Sequence, residues 1–298
     1  MNTIRLSSAL ADDRRRHQIF SGDFFLYQGR KSVVALCDHA AGMIRETFRE
    51  LPAETAQHHL SVEDFVKAIG PLKTRFTNDQ GTKELMRALL AEFGHDLDQT
   101  YFDVPRLRVV TSDQYLTAGL GYAYKAHRDT WYSSPQCQVN WWLPVFDLES
   151  ERTLALYPKY WHQPLQNSSA EFDYDKWTQI GRAAAAQQIK TDTRKHPLPT
   201  EAVDVADELR FVLNSADAVV FSASHLHATV PNSSGKTRFS IDFRTVHRAD
   251  AEAGLGSPNI DNRSSGTTLA DFIKAADFLP IDRELVKKVQ SEPRIVTP

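Results

Sequence analysis

The sequence predicts an α+β fold in which a β-sandwich or jelly roll is wrapped by helices. In the first 100 residues, apolar side chains recur mainly at helical spacing. Residues 105–248 instead carry short β-branched or aromatic segments separated by turn residues. About seven short strands around one helical insert are typical of a sandwich or jelly roll. The length of 298 residues suits one large domain or two small ones.

Helices dominate the predicted N-terminal region. A strand with a turn at Ser21–Gly22 is predicted first, over 17–29. The predicted helices then cover 31–51, 61–70 and 81–96. Ser61 begins the second helix as the cap of a capping box, and Gly70 and Gly94 end the second and third helices.

Short strands dominate the rest of the chain. They are predicted over 106–116, 118–127, 136–146, 152–158, 208–214, 218–224 and 237–248. A helix is predicted over 173–190, inside an insertion that spans about 160–207. Loops of that length are uncommon, so the insertion is expected to cover something. Tail helices are predicted over 267–278 and 282–292.

The composition excludes several classes of function. A formal net charge of −3 and a pI of about 6.4 predict no nucleic-acid partner and no anionic membrane surface. The basic run at 12–17, DDRRRH, is interpreted as a solvated helix end. Two cysteines, Cys37 and Cys137, favour a reduced cytoplasmic protein, although the pair could form a disulfide. We see neither a signal peptide nor a transmembrane run.

A His-x-Asp motif precedes the predicted strand at 136–146. His127 and Asp129 lie two residues apart, so an extended chain turns both side chains to one side. A third ligand is available from His225 or His227, which are expected to share one strand face. Two histidines and one carboxylate form the facial triad of non-haem Fe(II) oxygenases. A zinc hydrolase accepts the same ligands, so the spacing alone leaves the metal open.

An Arg-x-Ser motif follows on the strand predicted over 237–248. Arg238 and Ser240 share one face of that strand. A guanidinium and a hydroxyl are costly to bury unless they meet an anion. The pair therefore predicts a site for the carboxylate of a cosubstrate.

In this order and spacing, the motifs resemble the Fe(II)/2-oxoglutarate-dependent dioxygenases, and within them the phytanoyl-CoA dioxygenase-like branch. The family pattern is a His-x-Asp, a long spacer, a distal His, and an Arg about one strand later. His127, Asp129, His227 and Arg238 match it, and Ser240 completes the Arg-x-Ser. The resemblance implies that the first three hold iron and that Arg238 and Ser240 bind 2-oxoglutarate.

The branch pattern also chooses between the two candidate histidines. Its ligand His stands five residues before an Asn, as His227 does before Asn232 in HATVPN. His225 is then a supporting or structural residue. The resemblance covers about residues 105–248.

The resemblance further implies a double-stranded β-helix, a jelly roll of cupin type, wrapped by N- and C-terminal helices. The chain is then one dioxygenase domain, 1–298. Its parts are helical support at 1–100, the core at 105–248 with the insert at about 160–207 acting as a lid, and a helical tail at 249–298.

The chemistry implied by the resemblance uses Fe(II), 2-oxoglutarate as cosubstrate, and O2. A small molecule, expected to belong to secondary metabolism, is hydroxylated, desaturated or cyclised. Related halogenases replace the acid ligand with a small residue, so Asp129 argues against halogenation. The sequence leaves the oligomeric state open.

Further residues near the motif are candidates for contacts. Gln138 and Asn140 are candidates for the cosubstrate's near carboxylate or the substrate, although an inward amide network explains them equally. Trp131, Tyr132 and Tyr124 are candidates for walls of the substrate space. The alternative is that they are core aromatics.

Two rival functions remain open at this stage. A cupin-like metal-dependent isomerase or hydrolase without 2-oxoglutarate explains the triad but not Arg238 and Ser240. A non-catalytic small-molecule binding module would have kept the fold and lost the chemistry.

Overall fold

A computed structural model describes residues 2–181 and 191–291 of the chain. Within these residues the predicted α+β class is confirmed, since α-helices pack against one large and one small β-sheet. The described α-helices are α1 (Asp12–Phe20), α2 (Lys31–Phe48), α3 (Val62–Asn78), α4 (Gln80–Glu92), α5 (Tyr174–Lys176), α6 (Arg248–Glu252) and α7 (Arg283–Ser291). A short π-helix, Trp177–Gly181, continues α5.

The strands form two sheets. They are β1 (Ile4–Leu6), β2 (Phe24–Tyr27), β3 (Thr100–Asp103), β4 (Arg106–Val110), β5 (Val139–Pro144), β6 (Leu154–Leu156), β7 (Leu209–Arg210), β8 (Ala218–Ser222), β9 (His227–Thr229), β10 (Arg238–His247) and β11 (Phe272–Lys274). The large sheet has the order β1-β2-β8-β5-β10-β3-β11, and β4 also pairs with β10. The small sheet has the order β7-β6-β9.

The N-terminal helices cover one face of the large sheet. One apolar cluster joins the buried faces of α2, α3 and α4 to inward side chains of β5 and β10, such as Trp141 and Phe243. A second cluster lies on the opposite face, where Trp142 meets Leu154 and Leu156 of the small sheet. The large sheet is therefore buried between helices on one side and the small sheet on the other.

Strand β10 is central to this arrangement, and its side chains alternate between the two faces. Phe239, Ile241 and Phe243 are fully buried in the helix-side cluster. Because side chains alternate along a strand, Arg238, Ser240, Asp242 and Arg244 point to the other face. A row of polar and charged groups is thus aimed between the two sheets.

Most predicted helices are confirmed, but their ends differ. Helix α3 begins as expected, with the Ser61 hydroxyl accepting a hydrogen bond from the Asp64 amide at 3.1 Å. It then runs past Gly70 and Pro71 to Asn78, so the end predicted at Gly70 is wrong. The apolar stripe of α3 continues across the proline, and its burial outweighs the lost backbone hydrogen bond.

Most predicted strands are confirmed, but their ends differ. Strands β2, β4, β5, β6, β7, β8 and β10 lie inside predicted strand segments, whereas β1, β3 and β9 and the helices α1 and α6 were not predicted. Residues 17–20 belong to α1, not to the predicted strand. Residues 118–127 form no strand, only a short 3-10 turn at Gly119–Gly121 and irregular chain.

The tail differs from prediction as well. Thr268–Asp271 is a short 3-10 helix and β11 follows it, so the helix predicted over 267–278 is wrong. Pairing of Phe272 with Asp103 at the edge of β3 satisfies this backbone in place of helical bonds. The last predicted helix is confirmed as α7, although residue 292 lies outside the described residues. Residues 182–190 of the helix predicted over 173–190 also lie outside them.

The basic run near the N-terminus is buried in part. Arg15 and Arg16 are 3% and 7% exposed. The Arg15 guanidinium pairs with Asp12 at 2.6 Å, and that of Arg16 pairs with Asp250 of α6 at 2.6 Å. The interpretation of this run as a solvated helix end is therefore wrong for Arg15 and Arg16, and Arg16 ties α1 to the tail. Asp13, Arg14 and His17 are exposed, as that interpretation expects.

Two further observations concern the described residues as a whole. None of their helices has both the length and the apolarity needed to cross a membrane. Within the same ranges, the thiols of Cys37 and Cys137 are buried and no disulfide joins them.

A glycine fixes the loop after α6 against the start of β5. Gly256 has φ of +155°, and a Cβ there would lie 2.4 Å from the Gln136 carbonyl carbon. We expect Gly256→Ala to lower the free energy of unfolding by about 1–3 kcal/mol more than Gly235→Ala does, as overpacking typically costs. Gly235 also has positive φ, +74°, but open space around its Cβ position. Equal losses in urea unfolding would contradict this.

Candidate metal centre

Backbone pairing brings two histidines together. The His127 amide donates to the His227 carbonyl at 2.9 Å, and the His227 amide donates to the His127 carbonyl at 2.9 Å. His227 is the first residue of β9, so His127 extends the small sheet by one antiparallel bridge. The two imidazole rings consequently lie side by side, with centroids 4.3 Å apart.

Asp129 completes the cluster. Its amide donates to the Ala223 carbonyl at 3.0 Å, where a short 3-10 turn, Asp129–Tyr132, begins. Its Oδ1 lies 3.3 Å from His127 Nε2 and 3.6 Å from His227 Nε2. All three side chains are buried, and their potential ligand atoms lie within 4.8 Å of one another. The structure thus brings together the three residues that the sequence proposed as ligands.

The orientation of both imidazoles suits metal binding. His127 Nδ1 is 2.7 Å from the Lys125 carbonyl, and His227 Nδ1 is 3.0 Å from the His225 carbonyl. A carbonyl can only accept, so each Nδ1 carries the proton and each Nε2 presents its lone pair towards Asp129. Two neutral nitrogens and one carboxylate oxygen fit a divalent first-row metal ion.

Three donors fix the other oxygen of Asp129. Its Oδ2 accepts from Asn140 Nδ2 at 2.9 Å, Gln138 Nε2 at 3.2 Å and Arg244 Nε at 3.4 Å. Burial alone raises the pKa of the Asp129 carboxyl, but the guanidinium of Arg244 opposes burial, and that pKa lies well below its usual range. The carboxylate is therefore ionised and offers Oδ1 alone to a metal.

This arrangement refines the expectation for Gln138 and Asn140. Both amides line the cavity, yet each directs a donor at Asp129, and Gln138 also donates to Asn140 at 2.9 Å. The inward amide network considered as the alternative is present. Contact of either amide with a cosubstrate stays a prediction. Sequence reasoning missed Arg244, although its spacing of two residues from Asp242 placed it on the same face as Arg238.

His225 lies away from the cluster. Residues 222–225 form a turn, closed by the His225 amide donating to the Ser222 carbonyl at 3.0 Å, so the expectation of one shared strand face with His227 is wrong. His225 Nε2 faces the Gly22 carbonyl at 3.1 Å. Its ring packs between Phe24 and Trp161, at centroid distances of 4.2 and 4.3 Å.

A cavity of about 360 Å³ opens beside the cluster, and Arg238 lines part of its wall. Arg238 is 3% exposed, and burial lowers its pKa to about 10. Its Nη1 donates to the Thr153 carbonyl at 3.0 Å, and its guanidinium lies 5.5 Å from the centre of the Trp142 ring. Among the described residues, Arg238 Nε and the neighbouring Ser240 Oγ have no hydrogen-bond partner.

The three candidate wall aromatics occupy different places. Tyr124 and Tyr132 line the cavity, with ring centroids 5.2 and 5.3 Å from that of His127. Trp131 instead is fully buried in a separate apolar cluster, and its indole N–H donates to Asp261 at 2.6 Å. Trp131 is therefore a core aromatic, which was the alternative to a place in the wall of the substrate space. Asp261 also accepts from Arg128, which locks the residue between the two motif ligands to the tail.

The insertion does cover something. Its described residues, 160–181 and 191–207, contribute Tyr174, Trp177 and Arg194 to the cavity wall. Arg194 lies over the Trp177 ring at 5.6 Å, and the Gly119 amide donates to Asp192 at 3.1 Å. The insertion is thereby joined to the irregular segment that precedes His127.

Comparison with known proteins gives weak similarity. No protein-family model matches the sequence, and no curated protein matches it either. One similar solved structure is EvdO2 from Micromonospora carbonacea var. aurantiaca, with 14% identity over 63% of this chain and 65% of that chain and a TM-score of 0.38. The match thus spans just under two thirds of that structure.

Two further similar structures contain ligands. EvdO2 complexed with 2-oxoglutarate has 15% identity over 80% of this chain and 92% of that chain, with a TM-score of 0.43. The epimerase SnoN in complex with Fe3+, alpha ketoglutarate and nogalamycin RO has 12% identity over 79% and 85%, with a TM-score of 0.40. These scores are all below 0.5, so a function for this chain has to be argued from its own residues.

The geometry distinguishes His227 from His225 as a ligand. We expect His227→Ala to lower Fe(II) affinity by more than the roughly 10–100-fold typical of residues that only support a ligand. His225→Ala should retain binding and instead lower the free energy of unfolding by about 3 kcal/mol, because it leaves a cavity between two aromatic rings. Anaerobic titration with Fe(II) and urea unfolding measure the two effects. Retained iron in His227→Ala with loss in His225→Ala would reverse the assignment.

The donors on Asp129 Oδ2 should matter for metal affinity. Asn140→Leu removes the shortest of them without adding charge, so the carboxylate is held less firmly and Fe(II) affinity should fall by about tenfold. Asn167→Leu is the matched control, because that amide donates to the Leu165 carbonyl at 2.8 Å and does not contact Asp129. Equal affinities of the two variants in the same titration would show that Asn140 does not support the ligand.

Proposed function

We propose that this protein is an Fe(II)- and 2-oxoglutarate-dependent oxygenase that acts on a small molecule. One observation carries the proposal: a buried set of two imidazoles and one carboxylate shares a cavity with Arg238, a buried cation whose Nε has no partner among the described residues. The two imidazoles and the carboxylate fit iron, and the guanidinium of Arg238 fits the carboxylate of a keto acid.

The iron would be held by His127 Nε2, His227 Nε2 and Asp129 Oδ1. When bound together with 2-oxoglutarate and O2, it supplies the oxidising power to remove a hydrogen from the substrate, with succinate and CO2 as co-products. The chain's own part is to hold the ligands rigidly. Backbone carbonyls fix the imidazoles and three donors fix the carboxylate, so little reorganisation is needed when the metal enters.

Arg238 and Ser240 suit the far carboxylate of 2-oxoglutarate. A buried guanidinium without an anion is costly, and a charged hydrogen bond to a carboxylate removes that cost. Arg238 Nε and Ser240 Oγ lie on one face of β10 and are both unsatisfied among the described residues. Trp142 beneath the guanidinium keeps water from one side of it.

Three architectural predictions accompany the same proposal. We propose that the large and small sheets are the two sheets of a double-stranded β-helix, since His127 and His227 pair at the edge of the small sheet and Arg244 of β10 in the large sheet reaches Asp129 at 3.4 Å. We propose one domain over 1–298, because a single apolar cluster contains α2, α3, α4 and the large sheet. The insert at about 160–207 is proposed as a lid.

The finer parts of the function stay predictions. They are the phytanoyl-CoA dioxygenase-like branch, the choice among hydroxylation, desaturation and ring closure, a substrate of secondary metabolism, and the cytoplasmic location. An isomerase or hydrolase of cupin type would leave Arg238 without a role. A binding module would have no need of Nε2 atoms oriented towards a carboxylate. Iron-dependent succinate formation from 2-oxoglutarate separates the oxygenase from both.

The cosubstrate role of Arg238 is testable. Removing a buried charged contact should cost about 2–5 kcal/mol of binding free energy, so Arg238→Ala should raise the concentration of 2-oxoglutarate needed for half-maximal succinate release strongly while Fe(II) binding stays near normal. Lys236→Met is the matched control, because the Lys236 side chain is 44% exposed and pairs with Glu149, whose side chain is equally exposed. An unchanged requirement in Arg238→Ala would disprove the role.

The acid ligand tests the type of reaction. Asp129→Gly removes the carboxylate but neither imidazole, so it should bind Fe(II) more weakly and lose substrate oxidation. Halogenation in chloride is not expected of it, because Gln138, Asn140 and Arg244 are arranged around a carboxylate and not around a halide. The native chain should give an unhalogenated product in high chloride. Mass spectrometry showing a chlorinated product from the native chain would overturn the assignment of Asp129.

A further inference from the structure

The cavity wall contains more cations than the metal and the cosubstrate require. Most of them are neutralised by the chain itself. Arg106 pairs with Asp103 at 2.9 Å, Arg108 with Asp242 at 2.8 Å, and Arg194 with Asp192 at 2.5 Å. Arg244 is shared among three carboxylates, the Asp103, Asp129 and Asp242 groups.

Two lining cations have no such partner. Within residues 2–181 and 191–291, neither Arg238 nor Lys73 has a carboxylate at ion-pair distance. Arg238 is accounted for by the proposed 2-oxoglutarate site. Lys73 lies on α3, outside both sheets, and neither the metal nor the cosubstrate role uses it.

The surroundings of Lys73 leave room for an anion. The half-buried Lys73 ammonium donates to the Leu120 carbonyl at 2.5 Å, which uses one of its three N–H groups. Burial and nearby Arg108 lower the pKa of Lys73 to about 7, against the opposing effect of Asp242. An ammonium with one neutral acceptor and a cationic neighbour is electrostatically incomplete.

Flat aromatic surfaces lie on the chain directly after Leu120. The Tyr122 ring stacks on His196 with centroids 4.3 Å apart and planes 6° apart. The Tyr124 ring meets Tyr122 edge-on at 5.0 Å and lies 5.2 Å from His127. Tyr122 and Tyr124 both line the cavity that Lys73 and His127 also line, with their ring planes perpendicular.

We propose that the organic substrate is a flat molecule bearing a carboxylate, that this carboxylate pairs with Lys73, and that its flat body lies along Tyr122 and Tyr124. The inference rests on the proposed function and names the class of its substrate. In this arrangement Lys73 sets which end of the substrate reaches the metal ligands. The carboxylate also satisfies the ammonium, which residues 2–181 and 191–291 supply with a single acceptor.

Binding of matched probes tests the subsite without turnover. 2-Naphthoate and its neutral analogue 2-naphthamide are titrated by calorimetry into the Fe(II)-loaded protein under argon, with saturating 2-oxoglutarate present. We expect naphthoate to bind about tenfold more tightly, as one charge-assisted contact typically gives. Equal affinities, or no naphthoate binding at all, would overturn the proposal.

Variants locate the preference. Lys73→Gln keeps a donor for the Leu120 carbonyl but no charge, so it should abolish the preference, whereas Lys73→Arg should keep it. Lys67→Gln is the control on the same helix, since Lys67 is 77% exposed and pairs with Asp64. Thermal unfolding checks that each variant is folded. A preference that survives in Lys73→Gln would overturn the proposal.

Omitting 2-oxoglutarate separates the two carboxylate sites. If naphthoate is preferred only when 2-oxoglutarate is absent, its carboxylate occupies the Arg238 site and the Lys73 proposal is wrong. Succinate formation reports on the proposed function independently. A protein that forms succinate but shows no preference for naphthoate disproves the subsite alone, and one that shows the preference without forming succinate disproves the oxygenase alone.

Discussion

The reciprocal backbone hydrogen bonds between His127 and His227 are the constraint on which the site depends. They join two segments that are far apart in sequence, and they fix the separation of the two imidazoles before any metal is present. The same bridge fixes where Asp129 can reach, because it follows His127 by two residues and is itself held by the Ala223 carbonyl. Three ligand atoms are thus positioned largely by main-chain geometry, which changes little with side-chain motion.

Charge balance follows from that geometry. The negative charge of the buried Asp129 carboxylate needs a positive charge beside it. Arg244, on strand β10, provides that charge. Arg244 would itself be costly to bury, but Asp103 and Asp242 share it at 3.3 and 3.2 Å. The charge of Asp129 is therefore balanced by Arg244, and the charge of Arg244 is balanced in turn by Asp103 and Asp242. The network holds the carboxylate ionised and oriented, and it leaves Oδ1 for the metal.

Sequence patterns could predict the parts of this site that depend on period. His127 with Asp129, and Arg238 with Ser240, are pairs two residues apart, and two is the period of an extended chain. Arg244 follows the same period on β10. We did not predict it as a site residue, because an arginine on a strand has no motif of its own. His225 shows the opposite failure, since a turn at residues 222–225 broke the alternation on which its placement depended.

Features that depend on tertiary pairing could not be predicted from the sequence. Residues 118–127 have strand-like composition, yet only His127 pairs with an edge strand, and a side chain at Gly121 would meet Leu116. The tail residues 267–278 have helical spacing, yet Phe272 pairs with the edge of β3 and becomes a strand. Both outcomes depend on contacts with distant parts of the chain, and no local pattern encodes those contacts.

The cavity combines two kinds of wall with different consequences for function. His227 and Arg238 lie on paired strands. Backbone hydrogen bonds tie His127 to His227 and Asp129 to Ala223, so these positions also resist change. Lys73 and Tyr122 lie on a helix and on an irregular segment, held to each other through the Leu120 carbonyl rather than through a sheet. Substitution on this second wall can alter which molecule fits without disturbing the ligand atoms. On the proposed function, reaction chemistry and substrate choice are therefore separable, because different secondary structure elements hold the residues proposed for each.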